Sequence, residues 1–185
     1  MTLFEYLAIA YALLLSLSAV RLLNGLSHVM HTQRRYWAHA TWACLLLFSA
    51  LLLFWQHWST LDVQWTFLTF VMNLAGPGMI YFLSCTLIPD EAKSVDSWRD
   101  YYFSIRRQFF GALCVWSVIM VINTTLILGV PLLHNSRIIP VGLMVLGLSG
   151  LSTDSSRVHA SILLGLLLIL IIAVVILMQP GALAN

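Results

Sequence analysis

A chain of 185 residues that is 61% hydrophobic and 9% charged, against about 25% charged in a soluble domain, lacks the charge to cover a water-exposed surface. Nine basic and seven acidic side chains leave a net charge of +2, too small a surplus to attract nucleic acid. Cys44, Cys85 and Cys114 fall inside apolar stretches with no Cys-x-x-Cys pair, a pattern that excludes a disulfide scaffold and a thioredoxin-type motif.

Six apolar segments, at 3–23, 37–58, 65–88, 109–130, 138–151 and 158–178, predict an all-α polytopic transmembrane bundle that forms a single integral-membrane domain. They leave too little chain for an independent soluble domain. A bilayer core of about 30 Å needs about 20 helical residues, which every segment supplies except the fifth; that one either takes in Ser136 or Ser152 or is re-entrant. Met1 to Leu7 contains Glu5 and no basic residue, so the first segment reads as a retained span rather than a signal peptide.

Basic side chains are retained on the cytoplasmic side of a membrane. Arg34, Arg35, Lys93, Arg99, Arg106, Arg107 and Arg157 lie in the first, third and fifth loops, and only Arg137 in the second and fourth. Both termini are therefore expected outside. Trp37, Trp55, Trp58, Trp65 and Trp98 mark segment ends, the depth at which indoles rest among headgroups. In the third loop, Ser97-Trp98-Arg99-Asp100 has the form of a capping box, predicting an amphipathic helix start on the cytoplasmic surface that runs into the fourth span.

Near the end of the first span, Arg21, Asn24, His28 and His31 fall within an arc of about 80° on one helix face. His39 and His159, with Cys44, Cys85, Cys114 and Ser149, are expected at similar depth on other helices, so these groups could form an inner polar cluster. The spacing His28-x2-His31-x7-His39 matches no zinc signature. His39 and His57 share a face but stand about 27 Å apart along the helix, too far to serve one haem. No haem, metal or other cofactor is expected.

The third span is interrupted by Asn73-Leu74-Ala75-Gly76-Pro77-Gly78. Proline removes a backbone donor and glycine loosens a helix, and freed carbonyls inside a bilayer must meet protein, water or a cavity. Asn123 and Thr124 of the fourth span, with Ser16, Ser18 and Ser49, are expected at the same depth, so Asn73, Gly76, Pro77, Gly78, Asn123 and Thr124 outline a midplane polar path. Small residues at Gly142, Gly147 and Gly150 suit close helix approach, within one chain or between copies.

Gly147-Leu148-Ser149-Gly150 resembles the Gly-x-Ser-Gly of rhomboid proteases, but His159 follows across one short loop instead of on a distant helix, and helix packing explains the small residues. Arg34-Arg35-Tyr36-Trp37, Trp65-Thr66-Phe67, Tyr101-Tyr102 with Arg106-Arg107, and Arg157-Val158-His159 together resemble an uncharacterised group of bacterial six-span inner-membrane proteins. That resemblance implies a bacterial inner-membrane location and supplies no activity.

The leading functional reading is a small transporter or channel. The second is an interaction or assembly subunit of a larger membrane complex, and the third a haem- or metal-binding oxidoreductase. Membrane lipids and either further copies of the chain or a partner membrane subunit are the expected partners.

Overall fold

The computed structural model describes residues 3–31 and 36–178. Arg34 and Arg35 lie outside them, as do the side chains of His31 and Lys93. The helices are α1 (Leu3–His31), α2 (Trp37–Gln56), α3 (Phe67–Leu87), α4 (Trp98–Leu126), α5 (Ile138–Ser152) and α6 (Ser156–Ile176), with no strand among the described residues. Short 3-10 turns at His57–Thr60, Ala92–Ser94 and Asn135–Arg137 redirect the chain between them.

Five of the helices are long and apolar enough to cross a membrane. α5 has 15 residues and is only about 22 Å long. It packs between α4 and α6 in a ring that runs α1, α3, α4, α5, α6, α2 and back to α1. α2 also reaches inward to α3 and α4, so it contributes much of the core.

The ring closes tightly where glycine lets backbones approach. A Cβ on Gly147 would stand 2.5 Å from the Cys114 sulfur of α4, and one on Gly150 would enter the Phe110 ring. A Cβ on Gly142 would stand 2.6 Å from Ile169 of α6. All three glycines therefore serve contacts inside the chain.

Local signals explain the helix ends. The Thr66 and Thr69 side chains form a reciprocal capping box at the start of α3. The Ser97 side chain accepts from Asp100 N at 3.3 Å and caps α4, which runs without a break to Leu126. The first turns of α4 are amphipathic: Trp98 and Tyr102 are each only 1% exposed, while Arg99, Asp100, Ser104 and Arg107 are exposed. Trp98 is accordingly a core residue whose ring is tilted against His39, with centroids 4.7 Å apart, and not a headgroup anchor. Trp37, Trp55 and Trp58 are exposed.

The half of the bundle next to the α3–α4 loop is filled by rings. Trp42 meets Phe109 and Phe110 edge to face at 4.9 and 5.5 Å, geometry that adds to burial because a ring's positive edge meets its neighbour's negative face.

A polar chamber between α1, α2, α3 and α4

Asn73, Gly76, Asn123 and Thr124 line one cavity of about 50 Å³. It extends from the side of the α2–α3 and α4–α5 loops, where Asn73 is under two turns from the start of α3 and Asn123 one turn from the end of α4, to Gly76 at the middle of α3. α3 continues unbroken through Gly76, Pro77 and Gly78. Gly76 and Pro77 are buried, and a Cβ on Gly78 would meet nothing within 4 Å. The proline still matters, since residue 77 has no N–H for the Asn73 carbonyl four positions earlier. Ser16 is exposed and Ser18 donates to the Leu14 carbonyl in its own helix, so neither joins the chamber. Ser49 lines the adjoining cavity.

The other polar and aromatic groups of the wall are Tyr11, Gln56, His57, Thr60 and Trp116, set among Leu53, Ile119, Met120, Ile127 and Leu128. α1 holds the imidazole of His57 between two rings, Phe4 at 5.1 Å and Tyr11 at 4.4 Å. Thr60 donates to the His57 carbonyl at 2.7 Å and lies 3.5 Å from Nδ1. These contacts fix the ring and leave Nε2 free.

Four buried polar atoms of this wall have no protein partner: His57 Nε2, Asn73 Nδ2, Trp116 Nε1 and Asn123 Oδ1. Asn73, His57 and Trp116 are 8, 5 and 5% exposed. An unpaired buried polar group costs about 1–3 kcal/mol, so four that share one cavity form a site able to bind something polar. The wall contains no Asp, Glu, Lys or Arg, so an ion there would meet no charged side chain directly.

The chamber has neighbours on two sides. Ile127 and Leu128 separate it from a surface depression bearing Asp62, Gln64 and Thr69. Gln56, Trp116 and Thr124 also border a largely apolar cavity of about 70 Å³ between α2, α4, α5 and α6. At its edge lies Arg137, whose five N–H groups meet the Val121, Val130 and Pro131 carbonyls and the Thr124 and Thr125 hydroxyls. A guanidinium stays protonated in proteins. Arg137 therefore places a positive charge at the carbonyl end of α4, the favourable end of the helix dipole.

The residues expected to form an inner polar cluster line a groove and the aromatic layer next to it. Arg21, Asn24 and His28 line a groove beside the α3–α4 loop, while His31 lies outside the described side chains. His39 and His159 are both fully buried in the aromatic half. His159 Nε2 lies 3.0 Å from the Thr153 carbonyl, which can only accept, so Nε2 carries the proton. Nδ1 must then accept from the Tyr102 hydroxyl at 2.9 Å, and that hydroxyl accepts from the Trp42 indole at 3.1 Å.

Among the described residues no three His, Cys, Asp or Glu side chains come together as metal ligands. Ser149 donates to the Val145 carbonyl, and both nitrogens of His159 are occupied, so these two do not form a nucleophile and base. No family model, curated protein or solved structure matches the chain. The class that the fold and site define is an all-helical protein, apolar enough for a membrane, with a neutral polar chamber inside one end.

Tyr11, His57 and Trp116 were not legible as site residues. Each reads in sequence as an aromatic of an apolar span, and only the unpaired nitrogens of His57 and Trp116, visible once neighbours are placed, distinguish them.

Proposed function

We propose that the chain is a carrier or channel of six spans for a small, neutral, hydrogen-bonding solute. The observation that carries this reading is the convergence of four unpaired buried polar atoms on one chamber without a charged residue in its wall. A solute that replaced its water hydrogen bonds with these groups would enter at little desolvation cost, whereas an ion would not. Entry is from the side of Asp62 and Gln64. The distribution of loop cations supports putting that side, and both termini, outside, and the resemblance drawn from the sequence supports a bacterial inner membrane. α5 crosses together with the Asn135–Arg137 turn that precedes it.

The test is flux into proteoliposomes, with urea, formamide and glycerol as neutral solutes and sodium and chloride as controls. Faster entry of a neutral solute, abolished by Asn73→Leu or Asn123→Leu in protein that retains its helicity and melting behaviour, is expected. Entry no faster than through empty liposomes, or faster entry of the ions alone, would sink the proposal.

A further inference from the structure

At the opposite end of the bundle, α1 and the chain after α3 enclose an open groove of about 700 Å³. We propose that this groove binds the headgroup of a zwitterionic aminophospholipid, one with a phosphate and a primary ammonium.

Depth is the first argument. α1 has 29 residues and is about 43 Å long, more than the roughly 30 Å of hydrocarbon. With Leu3 at one surface, the hydrocarbon ends close to Arg21, and Asn24 and His28 continue into the headgroup layer. The groove changes character at that depth. Leu17 and Val20 are 48 and 57% exposed and form its apolar end with Tyr81. Its other end is polar, with Arg21, Asn24, His28, Asp90 and Glu91. Leu17 to His28 spans about 16 Å of helix, enough to hold the first part of an acyl chain and the headgroup above it.

Charge is the second argument. Arg21 donates twice to the Ile88 carbonyl, at 3.1 and 2.8 Å, and its Nη2 is 2.7 Å from Asp90. The cation is therefore held in place at the carbonyl end of α3, where the helix dipole favours it, with Nη1 free of these contacts. Asp90 is 87% exposed along its side chain, and Glu91 beside it is also exposed. A site with fixed positive charge below and two carboxylates above repels a headgroup of net negative charge and suits one that carries both signs. A primary ammonium donates hydrogen bonds to carboxylates; a quaternary choline does not. This separates phosphatidylethanolamine from phosphatidylcholine and phosphatidylglycerol.

The experiment is native mass spectrometry of the full chain released from detergent containing equimolar dioleoyl phosphatidylethanolamine, phosphatidylcholine and phosphatidylglycerol. Retention of the ethanolamine lipid about threefold or more above each of the others is expected, the size of a partly exposed charged contact. Equal retention of the three, or preference for the glycerol lipid, overturns the proposal. Asp90→Asn with Glu91→Gln should remove the preference for ethanolamine over choline. Glu91→Gln alone, which leaves the Arg21–Asp90 pair intact, should reduce it, and an undiminished preference in that variant also overturns the proposal.

Discussion

The Tyr102 hydroxyl donates to His159 Nδ1 and accepts from the Trp42 indole, so one oxygen joins α2, α4 and α6 inside a layer of packed rings. Tyr102→Phe keeps the ring and deletes that oxygen, leaving a buried donor and a buried acceptor unpaired. A loss of about 2–6 kcal/mol is expected at about 1–3 kcal/mol per orphaned group. Tyr101→Phe removes a single bond to the Thr86 carbonyl and should cost about 1 kcal/mol. Unfolding of both variants in the same mixed micelles checks the order; equal losses would show that the chain through Tyr102 adds nothing.

Two glycines should respond to alanine with opposite signs. Gly150→Ala drives a methyl into the Phe110 ring and is expected to destabilise by about 1–3 kcal/mol through overpacking. Gly111→Ala meets nothing within 4 Å and should stabilise by about 0.5–1 kcal/mol through helix propensity. Melting temperatures of the pair decide it.

Arg137→Lys keeps the charge but replaces five donors in a fixed fork with three on a flexible stem. It must leave at least two acceptors among the α4 end and the following loop unpaired, so a loss of about 2–4 kcal/mol is expected. Hydrogen exchange should rise first at residues 121–131, since Arg137 holds the Val121, Val130 and Pro131 carbonyls.

Pro77→Ala returns an N–H to the Asn73 carbonyl and so removes a free acceptor beside the chamber. If that carbonyl contributes one hydrogen bond to a bound solute, flux or affinity should fall about tenfold, the equivalent of about 1.4 kcal/mol. Solute flux measured in parallel with helicity by circular dichroism tests it, and unchanged flux would show that the carbonyl takes no part.

With both termini outside, Asp62→Cys in a background lacking Cys44, Cys85 and Cys114 should react with an impermeant thiol reagent applied to intact cells. Ser94→Cys should react only after permeabilisation. The reverse pattern would invert the orientation argued from the loop cations.

The amino-acid sequence by itself determined the helical architecture and most element boundaries, because an unpaired backbone in hydrocarbon is so costly that long apolar runs have little alternative to helix. It marked the Ser97 cap through a side chain that satisfies a nearby backbone donor. It also singled out Asn73, Gly76, Asn123 and Thr124, since amides and a proline-flanked glycine are rare enough in apolar spans to be conspicuous. What it could not determine was the rotation of each helix. In a soluble protein the polar face reveals rotation, but here lipid-facing and core-facing positions are both apolar, so Leu13 at 63% exposure and Leu15 at 6% look alike in sequence. Only the tertiary structure placed His57 between Phe4 and Tyr11, put Trp116 beside the asparagines, and assigned His39 and His159 to an aromatic layer. Those relationships join helices distant along the chain, and the physical quantity that reveals them, a polar atom buried without a partner, exists only once its neighbours are in place.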